Sequence, residues 1–146
     1  MNSTPTFPIV QSYINFDGRC EEAIEFYKKA LGAEVEMMLR FKENPEKENC
    51  SGTEGNDDKI MHSSLRVGSS VVMASDCNAT GKPEFKGFSL SLSLATPEAV
   101  EKAAKALSDG GSVTMPPTKT FFSPSFGMVT DRFGISWMIM ACQPQQ

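Results

Sequence analysis

The segment from Phe126 to Ile139 constrains the fold most strongly, because it has the pattern of a strand, a tight turn and a second strand. Asp131 offers a side-chain acceptor at the start of the turn, and Gly134 tolerates a positive φ within it. Residues 135–141 then run apolar, which is typical of a buried strand. The sequence therefore predicts a β-hairpin whose second strand lies in the core.

The chain builds this hairpin twice, and each copy follows a strand, a helix and a further strand. The first half predicts a strand over 9–16, a helix over Cys20–Leu31, a strand over 33–41 and a hairpin over Ile60–Asp76. The second half predicts a strand over 88–94, a helix that begins at Thr96-Pro97-Glu98, a short strand over Val113–Met115 that Pro116-Pro117 interrupts, and the final hairpin. The repeat predicts an α+β fold of two βαβββ modules, about 9–76 and 87–141, in a single domain over 1–146.

Charge and length exclude several classes of protein. The chain has 146 residues and a formal net charge of −4, which argues against a general nucleic-acid surface. No apolar run approaches the roughly 20 residues that span a bilayer, and residues 1–8 lack the pattern of a signal peptide. We therefore expect a cytoplasmic protein that binds neither nucleic acid nor membrane.

The four cysteines are widely spaced and form no C-x-x-C pair, so they do not indicate a zinc ribbon. Cysteines of cytosolic chains rarely form disulfides, and we expect ordinary free thiols. One polar segment over 42–58 is either a lid or a plain insertion.

The residues resemble the vicinal oxygen chelate superfamily, which includes glyoxalases, fosfomycin-resistance proteins and extradiol dioxygenases, and within it the PhnB-like branch. The matching segments are Tyr13-Ile14-Asn15-Phe16 with Gly18, Ala23-Ile24-Glu25-Phe26-Tyr27, Leu31-Gly32-Ala33-Glu34, His62, Met73-Ala74-Ser75-Asp76, Gly87-Phe88-Ser89-Leu90, Phe126 to Asp131, Phe133-Gly134 and Trp137-Met138-Ile139. The resemblance covers about residues 9–141. It departs at Phe121-Phe122-Ser123, where the branch usually has Phe-Trp-Gly.

The resemblance implies curled mixed sheets around a concave cleft, and in metal-using relatives the ligands come from the first and last strands of each module. The corresponding positions here are Gln11, Ser89, Met73 or Ser75, and Met138. Divalent metals need carboxylates, imidazoles or thiolates, and a single amide does not hold one. We therefore expect no metal site and no cofactor, with a divalent metal as the alternative.

Strand parity indicates which polar side chains would face the cleft. On the first strand, Gln11, Tyr13 and Asn15 share a face, opposite Ile14 and Phe16. His62 is the only histidine, and it shares a face with Arg66. An imidazole near neutral pH is a candidate general base, but a hydrogen-bonded structural histidine has the same pattern.

Apolar candidates complete the predicted ligand site. We expect Met73, Met138 and Phe122 to contact the apolar part of a ligand, with Ser89 nearby. An anionic or carbonyl oxygen of the ligand would be met by Gln11, Tyr13, His62 or Arg66. An aromatic cluster is predicted for Phe121, Phe122, Phe126 and Trp137, with Trp137 on the helix-facing side.

Two classes of function remain open. The first is a metal-independent small-molecule-binding protein, and the second is a lyase, isomerase or dioxygenase-type enzyme that uses His62 or a metal. A methyltransferase is disfavoured. The common type needs a glycine-rich turn after the first strand of a parallel α/β sheet, whereas Asp17-Gly18-Arg19-Cys20 has one glycine and the predicted topology differs. A homodimer is expected, because open sheets leave edges that a partner commonly covers.

Overall fold

A computed structural model describes residues 6–44, 57–76 and 84–142, and it has an α+β architecture with two four-stranded sheets. The first sheet has the order β1-β4-β3-β2, and the second has the order β5-β8-β7-β6. The elements run β1 (Tyr13–Asn15), α1 (Cys20–Leu31), β2 (Glu34–Arg40), a 3₁₀ turn (Phe41–Glu43), β3 (Ile60–Val67), β4 (Ser70–Ser75), β5 (Leu90–Leu94), α2 (Pro97–Leu107), β6 (Ser112–Thr118), β7 (Phe126–Thr130) and β8 (Ser136–Ala141). The predicted fold class is confirmed.

Two compact units make up the chain. One comprises Met1–Glu25 with Ala33–Lys82, and the other comprises Phe26–Gly32 with Pro83–Gln146. The two units differ from the predicted modules at α1, whose last residues group with the second unit rather than the first. The physical reason is local: Tyr27 packs its ring 5.7 Å from that of Trp137 and 6.0 Å from that of Phe133, both in the second unit.

Each sheet combines one parallel pair with two antiparallel pairs. β1 runs parallel to β4, and β5 runs parallel to β8, while the hairpins β3–β4 and β7–β8 are antiparallel. Both hairpin turns use a glycine with a positive φ, 58° at Gly68 and 96° at Gly134, and the sequence predicts this conformation for Gly134. Both hairpins are confirmed to within two residues at their ends.

The core strands alternate as their sequence indicates. In β8, Trp137, Ile139 and Ala141 are buried while the residues between them are half-buried. Helix α2 packs on the sheet of its own unit through Val100, Ala104 and neighbouring apolar residues. Its N-cap is Thr96, whose hydroxyl accepts a hydrogen bond from the backbone N–H of Ala99 at 3.2 Å.

Strand β6 corrects one expectation, because it continues through Pro116-Pro117 instead of ending before them. β6 is the edge strand of its sheet, where a proline need not donate to a neighbour. The register with β7 shifts between Met115 and Thr118, and the prolines lie in that irregularity. Gly127 on β7 makes room for them, since a Cβ there would lie 3.1 Å from Cγ of Pro117.

Strand β1 is shorter than the predicted strand over 9–16 and begins only at Tyr13. It is an edge strand, and Val10 before it is almost fully exposed. Of the segment 42–58, residues 45–56 lie outside the described residues, so its predicted role stays a prediction. Neither described helix has the length and apolar character needed to cross a membrane.

Candidate functional site

One face of the first sheet carries most of the predicted polar site residues. Tyr13 pairs with Met73 across β1 and β4, and Met73 pairs with Ser64 across β4 and β3, so these three side chains share a face. His62 and Arg66 lie two residues either side of Ser64 and therefore share it too. We call this the open face of the first sheet, because Tyr13 and Arg66 on it are exposed. The opposite face is buried at Ile14, Ala74 and Leu65.

Tyr13 and His62 form a direct contact on the open face. The Tyr13 hydroxyl oxygen lies 3.1 Å from Nδ1 of His62, within hydrogen-bond distance. The two rings are stacked with centroids 5.5 Å apart and an interplanar angle of 29°. Tyr13 is 53% exposed and His62 is half-buried, so a ligand can reach the pair.

The other imidazole nitrogen, Nε2, has no hydrogen-bond partner among the residues that the structure describes. An imidazole held at one nitrogen and free at the other can donate to or accept from a bound molecule, depending on its tautomer. The sequence predicted the shared face of Tyr13 and His62 through parity, but it did not predict their contact.

Asn15 and Gln11 differ from Tyr13 in what they can offer a ligand. The Asn15 side-chain oxygen accepts a hydrogen bond from the backbone N–H of Asp17 at 3.0 Å, so it shapes the turn after β1. Asp17 in that turn has a positive φ of 54°. Gln11 is exposed and lies outside β1, two residues before it. Tyr13 is therefore the predicted residue of the first strand with a direct link to His62.

Arg66 is an exposed residue of the open face, and its guanidinium forms an ion pair with Glu36. Glu36 lies where the register of β2 shifts between Val35 and Met37, which brings its carboxylate to Arg66 although Glu34 is the register partner. Arg66 was predicted as a candidate clamp for an anionic group, and the structure gives it Glu36 as a carboxylate partner. A ligand anion would have to compete with Glu36 for this guanidinium.

The second unit holds the remaining three predicted residues. Met138 pairs with Met128 and Ser91, and Met128 pairs with Met115, so a row of methionines crosses one face of the second sheet. Ser89, just before β5, donates a hydrogen bond from its hydroxyl to that of Ser136 at 2.8 Å. These residues form an apolar surface with a serine border.

Phe122 belongs to a loop that hydrogen bonds hold in place. The hydroxyl of Ser123 is buried and donates to the carbonyl oxygen of Ala141 at 2.6 Å. Phe122 is 43% exposed and packs edge-on against Phe126 at 5.1 Å, and Phe121 packs edge-on against Phe122 at 5.2 Å. Trp137 is buried as predicted, but its ring packs against Tyr27 rather than joining these phenylalanines.

Asp76 and Asp131 are buried aspartates with structural roles, and of the two only the turn role of Asp131 was predicted from the sequence. Asp76 is 1% exposed, and its carboxylate accepts from the backbone N–H groups of Gly18, Cys20 and Ile60, each at 2.8 Å. These donors lie at the N-terminus of α1 and the start of β3. The signal in the sequence was an acidic residue directly after an apolar strand, but its donors are remote in sequence.

Asp131 has a carboxylate that accepts four hydrogen bonds. One oxygen accepts from the backbone N–H groups of Phe133 and Ile135, at 2.9 and 3.0 Å, which confirms the predicted acceptor role in the turn. The other accepts from the Tyr27 hydroxyl and from Nε1 of Trp137 at 2.9 Å. Burial, with the Asp131 charge beside it, raises the pKa of Tyr27 well above its usual range.

Cys20 is a buried thiol next to Asp76 and has little chemical reactivity. Burial, followed by the Asp76 charge, raises the pKa of Cys20 to about 12. A thiol that stays protonated at neutral pH is a poor nucleophile and a poor metal ligand. Cys20 is therefore a core residue, as free buried cysteines commonly are.

Among the described residues, the side chains that could bind a divalent metal do not cluster. No group of three or more His, Cys, Asp and Glu residues that could hold a metal ion occurs within 6–44, 57–76 and 84–142. The positions at which the resemblance predicts ligands carry Gln11, Met73 or Ser75, Ser89 and Met138 here, and the sequence-based expectation of no metal stays a prediction. The buried carboxylates of Asp76 and Asp131 accept three and four hydrogen bonds from N–H and O–H donors, respectively.

Comparison with known proteins gives consistent results for family and fold. The sequence-family model of the Glyoxalase/Bleomycin resistance protein/Dioxygenase superfamily matches residues 10–139 of this chain. The protein YjdN of Escherichia coli (strain K12) is 36% identical over 139 residues, which cover 91% of this chain and 95% of YjdN.

Solved structures show the same architecture. The crystal structure of protein PA1353 from Pseudomonas aeruginosa is 41% identical, covers 93% of this chain and all of that one, and has a TM-score of 0.75. The PhnB protein from Bacillus cereus, described as a putative 3-demethylubiquinone-9 3-methyltransferase, is 24% identical with a TM-score of 0.74 over 91% of this chain and 98% of its own. The resemblance to the PhnB-like branch is thereby confirmed at the level of the fold.

Proposed function

Because the chain belongs to the Glyoxalase/Bleomycin resistance protein/Dioxygenase superfamily, we propose that it binds a small organic molecule on the open face of its first sheet, without a metal ion. The observation that carries this proposal is the contact of Tyr13 with His62 on an exposed sheet face. Folds of this kind host several functions, so the argument depends on these residues and not on the family alone.

The chemistry of the open face favours a partly apolar ligand with a carbonyl or anionic oxygen. His62 and Tyr13 are the polar groups, and Met73 beside them is half-buried and adaptable in shape. Binding sites combine apolar walls with a few convergent polar groups, and this face has both. Phe122 and Met138, with Ser89, lie in the second unit, and we propose separately that they contact the apolar part of a ligand.

The donor set is the reason for proposing a metal-independent site. Metal-using relatives need carboxylates or imidazoles at positions that carry an amide, thioethers and hydroxyls here. Elemental analysis of the purified protein tests this point. Substoichiometric metal after gel filtration supports it, and close to one equivalent of a divalent metal per chain contradicts it.

Ligand binding can be followed directly at His62, since it is the only histidine of the chain. The probes are phenylacetate and acetophenone, which carry an apolar ring with a carboxylate or carbonyl oxygen, and benzylamine as a matched cation. A long-range ¹H–¹⁵N correlation spectrum measures how each probe changes the ¹⁵N shifts of the two imidazole nitrogens. We expect phenylacetate and acetophenone to shift the His62 signals and benzylamine to leave them unchanged. The absence of any shift with all three probes contradicts the proposal.

An enzyme is the second candidate, and the observation that favours it is that Nε2 of His62 has no hydrogen-bond partner among the described residues. If Nε2 carries no proton in the neutral ring, it can take one from a carbon or oxygen acid. The tautomer of His62 therefore distinguishes the two candidates. The methyltransferase description of the Bacillus cereus protein is not extended to this chain, because each sheet here mixes parallel and antiparallel pairs.

We also propose a homodimer, as the open sheets suggest. The edge strands β2 and β6 expose Val35, Met37, Val113 and Met115, and uncovered edges favour association. Light scattering at micromolar concentration tests this, and a mass near the chain mass of 15.9 kDa contradicts it.

A further inference from the structure

We propose that Tyr13 is a positioning residue: its hydroxyl donates to Nδ1 of His62 and thereby keeps the proton of the neutral imidazole on Nε2. The site then presents an N–H donor, and the group that it recognises is an oxygen acceptor. The inference rests on the proposed ligand site for its last step, but the tautomer itself is a property of the free protein.

The contact fixes which nitrogen is engaged but allows two proton arrangements. With 3.1 Å between the Tyr13 oxygen and Nδ1, either the phenol donates to a bare Nδ1 or a protonated Nδ1 donates to the phenol oxygen. The phenol O–H is a good donor, whereas its oxygen is a weak acceptor because its lone pair is delocalised into the ring. The unprotonated imidazole nitrogen is a strong acceptor. The first arrangement therefore makes the better hydrogen bond.

The surroundings of the pair support the same direction. The described residues supply no other hydrogen-bond partner for the Tyr13 hydroxyl, so among them His62 is the one acceptor for its proton. The stacked rings, 5.5 Å apart at 29°, limit rotation of the imidazole, which would otherwise turn Nδ1 away from the Tyr13 hydroxyl and put a ring carbon in its place. The tautomer of a histidine is set by the hydrogen bond that its engaged nitrogen makes.

The consequence is a preference among ligands and a restriction on chemistry. A protonated Nε2 donates to a carbonyl or carboxylate oxygen, and it does not accept a proton while the ring is neutral. His62 would then bind and polarise an oxygen rather than act as a general base through Nε2. This tautomer argues against base catalysis through Nε2 and favours recognition of an oxygen acceptor.

The test uses the uniformly ¹⁵N-labelled protein without ligand, at about pH 8.5, roughly two units above the ordinary histidine pKa of about 6.5. Because the chain has one histidine, the long-range correlation spectrum contains a single imidazole pattern. Nε2 is recognised by its couplings to both ring C–H protons. We expect Nε2 at the shift of a protonated nitrogen and Nδ1 at that of a bare one. A protonated Nδ1 overturns the proposal.

Tyr13→Phe is the decisive variant, since it keeps the stacked ring and removes only the hydroxyl. We expect the two ¹⁵N shifts to move toward each other as the ring begins to populate both tautomers. Unchanged shifts would show that the hydroxyl does not set the tautomer and would overturn the proposal. The absence of ligand separates this result from the proposed function, which the probe titration tests alone.

Discussion

The carboxylate of Asp76 accepts a hydrogen bond from the backbone N–H of Cys20 at 2.8 Å, and this contact anchors the first turn of α1 to the end of β4. The N-terminal N–H groups of a helix lack partners within the helix, and a negative charge there also suits the helix dipole. Asp76 thus ties α1 to the first sheet, beside the strand that carries Tyr13.

Asp76→Asn should destabilise the protein by about 3 kcal/mol, because hydrogen bonds to a charged acceptor are lost and an amide N–H₂ meets backbone donors. Urea unfolding followed by circular dichroism measures the change. Glu22→Gln removes the same charge nearby, from an exposed residue paired with Arg19, and should change stability by less than about 0.5 kcal/mol. Equal losses of unfolding free energy in the two variants would show that the buried hydrogen bonds of Asp76 do not stabilise the protein beyond the effect of its charge.

Tyr27→Phe should cost about 2 kcal/mol, since it removes one donor from the buried carboxylate of Asp131. Tyr13→Phe is the matched control, because Tyr13 and Tyr27 are the two tyrosines of the chain and Tyr13 is exposed. Its effect on stability should stay within about 0.5 kcal/mol. Urea titration monitored by the fluorescence of Trp137 gives both values, and a larger loss in Tyr13→Phe contradicts the buried network as the source of stability.

Stability should fall at alkaline pH through Cys20. Its folded pKa is raised to about 12 from an ordinary value of 9.0, so the stabilisation is complete below pH 9 and is lost as the pH rises toward 12. Each unit in that window costs about 1.4 kcal/mol, because the unfolded thiol ionises while the folded one does not. From pH 8 to pH 10 the wild type should lose about 1.4 kcal/mol more than Cys20→Ala. Parallel pH profiles for the two proteins are the contrary result.

The hairpins and the helices could be predicted because their signals are local. Gly68 and Gly134 provide the backbone freedom of the turns, and period-two alternation determines which side chains are buried. The end of β6 was predicted wrongly, because its prolines lie on an edge strand with a register shift, and the sequence does not reveal that position.

Only the strand face on which each site residue lies could be predicted, from the alternation of side chains along the strands. Parity places Tyr13 and His62 on one face, but a contact across 49 residues depends on the order of strands in the sheet. The ion pair of Arg66 with Glu36 depends on a register shift in β2, and the sequence pattern of β2 does not predict that shift. The order of the strands in the sheet and the register shifts within a strand are therefore the two features that the sequence pattern does not predict.

Freeing Arg66 should reveal whether its guanidinium contributes to the open face. In Glu36→Gln the ion pair is lost, and Arg66 becomes available to a carboxylate. An exposed pair is worth roughly 0.2–1 kcal/mol, so phenylacetate should bind up to about fivefold more tightly, while acetophenone, which carries no charge, should bind as before. Asp58→Asn is the matched control, because it breaks the exposed pair with Lys42 and should leave both affinities unchanged. Titrations followed at the His62 imidazole give these values. If Glu36→Gln strengthens neither probe, or strengthens both equally, Arg66 does not act as an anion clamp and the recognition of oxygen rests on Tyr13 and His62.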